Sequence, residues 1–360
     1  MTISNTTNTS LAAVANFPSN YFLENIAVRG DGSILVTALN HSELWYLPAP
    51  NRTIPVEPLL VATLDGLTMG IVETEPDIFY VGTLGDPALH RFDFRGWTPG
   101  GAVPSSRVLT FAPDSAGPNG SCLLAPNVIL VADCVEGLIW RVDLSGDGLS
   151  ATAKPWLQHA SMAPSYTDPF APVVLSSTVQ IPMPGVNGVR YAASTGHLYY
   201  TGSAAESFLR VAVDPRTYEP KGAPELIAEG IHAVDDFCLD ERACVAYITT
   251  HIDNTIHRVP LQPGRGPESS IVAGDPFTDS LVGPSSIVWG RAPGDYGRVA
   301  YVTTDGGHAK PPADGIVRPA QVCALFSGMK RCPARNPGRQ VTAGARRERL
   351  AGDDPHIRWP

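Results

Sequence analysis

Long hydrophobic runs are what this sequence most plainly lacks. No apolar stretch approaches the ~20 residues that a membrane-spanning helix needs, so no membrane partner is expected. A sustained apolar pattern of 3.6-residue period is also missing, which argues against a helical fold. The opening stretch MTISNTTNTSLAAVANFP has no basic region and only five consecutive apolar residues, so it does not read as a secretory signal. There is no G-x-S-x-G elbow, no H-E-x-x-H helix and no G-x-G-x-x-G loop. The chain thus offers no motif of a serine hydrolase, a zinc protease or a dinucleotide enzyme. Asp143, Ser145, Asp147 and Gly148 imitate the start of a calcium loop, but the later glutamate is absent and the stretch reads as a turn.

Turn formers are abundant instead. Gly and Pro number 34 each, a density that favours many short strands. Hydrophobic residues make up 43% of the 360, enough for a full core. The net charge of −9 is unevenly spread. Residues 330–360 hold eight Lys/Arg against three Asp/Glu, and the body before them holds 18 against 32. An acidic body argues against nucleic acid as a partner. The basic end, rich in Arg, Gly and Pro, reads as a solvated and poorly ordered tail. Residues 1–329 then form one domain. Six cysteines are present. Cys238 and Cys244 flank a short turn and are placed to pair across it, and Cys323 and Cys332 are also close in sequence. A tight turn at Pro126-Asn127 sets Cys134 opposite Asn119, away from Cys122. Sequons at Asn5, Asn8, Asn40 and Asn51 would suit a secreted protein. Without a signal segment, the cytoplasm and reduced thiols are expected.

What organises the chain is a repeat. The segment Gly230–Leu261 reads as three strands in a row, the second of which is Ala246–His251 (AYITTH). That strand has five relatives: Ile34–Leu39, Phe79–Leu84, Ile129–Cys134, Leu198–Ser203 and Ala300–Asp305. Each is followed by a third strand, and most by a fourth. The last unit lacks a fourth strand downstream, while Leu11–Phe17 has that pattern and no role in the first unit. Pairing the two ends would remove two open sheet edges. The expected fold is therefore all-β, a six-bladed β-propeller closed by an N-terminal strand in the last blade. The longest interval between units carries an insertion near Gln158–Gln180. It joins an outer strand to the next inner one, so it should lie on the pocket face, where Tyr166, Phe170 and Met162 would cover a ligand.

In a propeller the inner strands start around one mouth. Counting back from each second strand gives a ring of Glu24, Met69, Asn119, Asn187, Asp235 and Ser285. Two carboxylates and two carboxamides on one axis would suit Ca²⁺, Mg²⁺ or Mn²⁺, although Asn and Asp also begin strands simply as turn formers. Further polar groups fall at the ends of second strands and the corners that follow: Asn40, His41, Thr83, His251, Asp305 and His308. Tyr21 and Phe22 precede Glu24 and would stack on a ligand. His251 stands out, because the repeat puts Leu39, Leu84, Cys134, Ser203 and Asp305 in the same slot and does not require a histidine there.

Several of these residues sit in short motifs. Glu24-Asn25-Ile26 followed by Arg29-Gly30-Asp31-Gly32 resembles the first-blade Glu-Gly-Pro and hairpin of the SMP-30/gluconolactonase/LRE-like propellers. Val186-Asn187-Gly188 resembles that family's Ser-Asn-Gly, and Asn119-Gly120 its extra Asn. Val234-Asp235-Asp236 resembles its Pro-Asp-Gly. The resemblance spans roughly residues 11–325. It implies a divalent metal on Glu24, Asn187 and Asp235 that polarises a lactone carbonyl. The chain departs from the pattern at Asn25-Ile26 and at Asp236, which replace Gly-Pro and Gly. The Asn25, Val-Asn-Gly and Asp-Asp-Phe variants look like a fungal branch of secondary metabolism, some of whose members close rings, including hetero-Diels–Alder catalysts, and need no metal.

The resemblance thus implies a ring-forming enzyme, a cyclase or pericyclase of the lyase or isomerase class. It would act without cofactor on a small molecule at the propeller mouth. A metal-dependent lactone hydrolase and a non-catalytic binding propeller are the alternatives. The candidate catalytic residues are Asp235, His251 and Asn187. The candidate substrate contacts are Tyr21, Phe22, Asn40, His41, Met69, Asn119, Tyr166, Phe170, Asp236, Ser285 and His308.

Overall fold

The second strands of the repeat read as continuous apolar, β-branched runs because both faces of each are covered. Ile34–Ala38 and Val245–Thr250 are buried at every position. Such strands belong in the middle of stacked sheets rather than on a half-solvated one. The computed structural model describes residues 9–50, 55–111, 117–167, 173–176, 179–262 and 269–327. In it, six four-stranded antiparallel sheets form the blades of a propeller. The inner strands are Leu23–Val28, Leu67–Glu75, Pro118–Ala125, Val186–Ala192, Val234–Asp240 and Pro284–Trp289, in blade order 1 to 6. Blade 6 takes its outer strand from Thr9–Asn16, which pairs antiparallel with Gln321–Ser327. The closure expected from the sequence is therefore present. Val14, Ala15 and Phe17 of that segment pack with Leu23, Ile34 and Val36 of blade 1 and Val322 of blade 6.

One local device recurs in all six blades. Between Leu23↔Ala38 and Ile26↔Val36 the register slips, so Glu24 and Asn25 together face Thr37. The same two-against-one bulge sets Met69-Gly70 against Gly82, Asn119-Gly120 against Ala132, and Asn187-Gly188 against Thr201. It recurs as Asp235-Asp236 against Thr249 and Ser285-Ser286 against Thr303. A bulge re-aims the side chains on either side of it. Here it sends the first residue of nearly every pair towards a common cavity. Where the opposing residue is threonine, its hydroxyl bonds across to the next blade: Thr37 to Met69 O at 2.8 Å, Thr201 to Asp235 O at 2.6 Å, Thr249 to Ser285 O at 2.9 Å.

The second residues of the bulges stay out of the cavity. Gly70 and Gly120 have no room for a Cβ, which would fall 2.1 Å from Asn119 O and 2.6 Å from Asn187 O. In blades 5, 6 and 1 the same position is polar. Asp236 Oδ2 there accepts hydrogen bonds from Asn25 Nδ2 (3.2 Å), Ser286 Oγ (2.7 Å) and Arg190 Nη2 (2.6 Å). Four blades thus meet at one buried carboxylate.

The sequence expectations need correcting at the cysteines. Cys122, Cys134, Cys238, Cys244 and Cys323 are free thiols. Cys238 stands opposite Tyr247, whereas Cys244 closes the turn and is exposed, so the expected clasp does not form. Cys134 bonds to Gly117 rather than facing Asn119, because the bulge at Asn119-Gly120 shifts the register. Cys332 and the basic tail lie outside the described residues. No helix among the described residues is long and apolar enough to cross a membrane.

Candidate functional site

The cavity has a volume of about 300 Å³ and sits where the inner strands begin. Five of the six ring residues expected from the repeat line it: Glu24, Met69, Asn119, Asn187 and Asp235. The sixth, Ser285, turns to Leu23 O at 2.6 Å and Thr303 Oγ1 at 2.9 Å instead. A second layer comes from the slot after each second strand. Leu39, Cys134, Ser203 and His251 of that slot line the wall.

The two layers give the cavity both apolar and polar lining. In blades 1 and 2, Phe22, Leu39, Met69 and Leu84 form one buried apolar cluster. Asn187, Ser203, Asp235 and His251 of blades 4 and 5, with Glu24 of blade 1, give the cavity its polar lining, and the His251 ring lies 5.1 Å from the Phe22 ring. The segment just after the insertion adds Pro182, Met183 and Pro184 to the wall, held by the Ser165–Met183 backbone pair at 3.0 and 3.1 Å. Met162 is fully buried between blades 3 and 4 and does not cover the cavity. Tyr166 points to solvent at 69% exposure, and Phe170 lies outside the described residues.

Electrostatics among the polar residues are dominated by burial. Glu24 is 6% exposed. Desolvation, reinforced by Asp235, holds its carboxyl well above the ordinary range, although His251 pulls the other way. Burial pushes Asp235 up to about 7; Asp236 and Asp305 add to the rise, while His251 and Asn187 oppose it. Burial alone would lower the His251 pKa, but Asp305, with help from Asp235 and Glu24, raises it to about 9. His251 Nε2 is 3.1 Å from Asp305 Oδ2, and its Nδ1 is 4.0 Å from Asp235 Oδ2. Burial raises the Cys134 thiol to about 12, so it is not a nucleophile.

Two carboxamide oxygens are conspicuous. Asn119 Oδ1 and Asn187 Oδ1 are buried and have no hydrogen-bond partner, while Asn187 Nδ2 donates to Ser203 Oγ at 3.2 Å. A buried acceptor left unpaired is costly unless a ligand completes it. Among the described residues no group of three His, Cys, Asp or Glu is arranged to hold a metal ion. Glu24, Asp235 and the two orphaned carboxamide oxygens are nonetheless hard oxygen donors, and that chemistry fits Ca²⁺, Mg²⁺ or Mn²⁺.

The remaining candidates support the wall rather than forming it. Asn40 Oδ1 accepts the Phe22 N–H at 2.9 Å, and Asn40 Nδ2 donates to Asn20 O at 2.7 Å. Tyr21 stacks on His41 with ring centroids 4.0 Å apart. His308 meets the Phe22 ring edge-on at 6.3 Å. Asp236 is the buried hub described above and faces away from the ligand space. Lining residues that the sequence did not single out include Met183, Ile252, Ala309 and Lys310. They come from corners and from the insertion, where the repeat gives no register to count from.

Known structures show the same architecture. A luciferin-regenerating enzyme superposes with a TM-score of 0.59 at 11% identity, covering 89% of this chain and 95% of its own. The chain shares the fold of SMP-30/gluconolactonase-like six-bladed propellers. A putative gluconolactonase gives 0.57 at 13% identity, covering 89% and 93%. Regucalcin from Agrobacterium tumefaciens, a calcium-binding protein, gives 0.55 at 12%, covering 88% and 95%. No protein-family model and no curated protein matches the sequence. The likeness therefore establishes the propeller, and the cavity carries the functional argument.

Proposed function

We propose that this protein is a small-molecule enzyme that closes a ring on a reactive precursor held in the cavity. The observation that carries this is the mixed apolar and polar wall. Phe22, Leu39 and Met69 give apolar lining, and Glu24, Asn187, Ser203, Asp235 and His251 give polar lining, around about 300 Å³. A ring closure needs its reacting atoms held in a near-attack pose and water kept out. The apolar residues would hold the hydrocarbon part. The polar residues would fix one oxygen of the precursor, with the His251 ring N–H as donor where negative charge develops. Asp235, beside it, would accept a proton if the precursor must lose one.

The test is a mass balance. The purified protein is incubated with the small-molecule extract of its source, and products are read by high-resolution mass spectrometry. Ring closure gives a product with the composition of its precursor or of two precursors added together. Asp235→Asn should slow its formation by about 10²-fold or more. Products heavier by one water would refute the reading.

A second reading is favoured by the orphaned oxygens of Asn119 and Asn187. With Glu24 and Asp235 they would hold a hard divalent cation, which when bound supplies Lewis-acid polarisation of a lactone carbonyl. Calorimetric titration with Mn²⁺ checks it: binding by the wild type and none by Glu24→Gln would support a hydrolase of this kind.

A further inference from the structure

We infer that Asp305 is a positioning residue, which fixes the His251 ring in the wall of the cavity; this rests on the cavity being the reaction site. Asp305 and His251 occupy the same slot of adjacent blades, one residue beyond Val299–Thr304 and Val245–Thr250. Asp305 is fully buried. Its Oδ1 accepts the Gly307 N–H at 2.6 Å and its Oδ2 the Ala309 N–H at 2.7 Å. Its own N–H donates to Gly283 O at 2.9 Å. Gly283 has φ +65°, and a Cβ there would fall 1.7 Å from Asp305 Oδ1. The carboxylate is thus seated by two backbone donors and by a position that only glycine fits. One of its oxygens is left facing His251.

The contact is 3.1 Å to Nε2 but off the line of a well-formed hydrogen bond, and Nε2 has no other partner. On the other side of the ring Nδ1 faces Asp235 at 4.0 Å. The imidazole therefore sits between two carboxyl groups, with Asp305 the nearer. The Phe22 ring, 5.1 Å away by centroids, covers it. Phe22 is itself pinned by Asn40. Asp305 does not line the cavity, so it acts through His251 and not on a ligand. Glu24, Asp235 and Asp305 are the carboxyls that act on this ring. Removing Asp305 alone would free it to turn away from this position.

The experiment uses the full chain labelled with ¹³C and ¹⁵N at histidine, with His251→Gln to identify the His251 resonances. In the wild type the His251 ring should show one set of proton contacts to the Phe22 ring. In Asp305→Asn those contacts should be lost or averaged. Unchanged contacts in Asp305→Asn would overturn the inference. Should that variant fail to fold, the wild-type spectrum still decides, since a ring averaged over two orientations would also overturn it. Turnover separates this inference from the proposed function. If the ring depends on Asp305 but His251→Gln converts the precursor as fast as the wild type, the positioning stands and the ring-closing reading fails.

Discussion

Asp235 and His251 are legible in the sequence, yet for different reasons. Asp235 fell on a repeat-matched position, while His251 broke the pattern of its slot. What the sequence concealed is their electrostatic setting, which depends on Asp305 and Glu24 from two other blades. Asp236, expected at the substrate, is instead turned by the bulge away from the cavity and onto Arg190. The shifted groups make a pH prediction. Folded Asp235 keeps its proton up to about 7, against an ordinary 3.8. Folded His251 keeps its proton up to about 9, against 6.5. In both windows the folded state binds more protons than the unfolded chain, so stability falls as pH rises. The contribution of Asp235 is lost through 7, and that of His251 through 9. In EDTA, the Tm should therefore decline steadily from neutral to alkaline pH. His251→Gln should flatten the upper part of that decline. A Tm that rises across this range would contradict the assignment.

Among the elements, the inner strands define the site through their bulges. Thr249 shows how. Its hydroxyl bonds to Asp236 O at 2.8 Å and Ser285 O at 2.9 Å, tying blade 5 to blade 6 behind the cavity. Thr249→Val keeps the shape and removes the hydroxyl. It should cost about 1–3 kcal/mol, because buried backbone carbonyls lose a donor. Urea denaturation measures this, and a loss below ~0.5 kcal/mol would show that the staple is not needed. Strand existence was readable from apolar runs such as ILVTA and VAYITT, because stacking buries both of their faces. The bulges were not, since two residues opposing one leaves no mark on composition. This is why counting back found the ring residues of five blades, while the facing of Cys134 was misplaced.

At the scale of the whole molecule, closure depends on a strand drawn from the opposite end of the chain. Thr9–Asn16 covers the edge of Gln321–Ser327 and brings Val14 and Phe17 into the core. Burying those two side chains stabilises by about 1.5–3 kcal/mol each. Deleting residues 1–18 should lower the Tm by roughly 10 °C or more; calorimetry that finds no drop would mean the ring closes without it. The architecture as a whole was legible because the unit repeats and the sixth copy lacks its last strand. The insertion was legible as extra length, but not in which residues reach the cavity, since Met183 beyond it does so through a backbone pair that no periodicity signals. The central claim is that the cavity holds a precursor with its oxygen at the polar residues His251 and Asp235. A crystal structure of the protein with its bound product tests it most directly. The account expects a ligand oxygen against His251 or Asp235 and the hydrocarbon part on Phe22, Leu39 and Met69. A ligand lodged elsewhere, or one whose oxygen faces Leu39 and Met69, would contradict it.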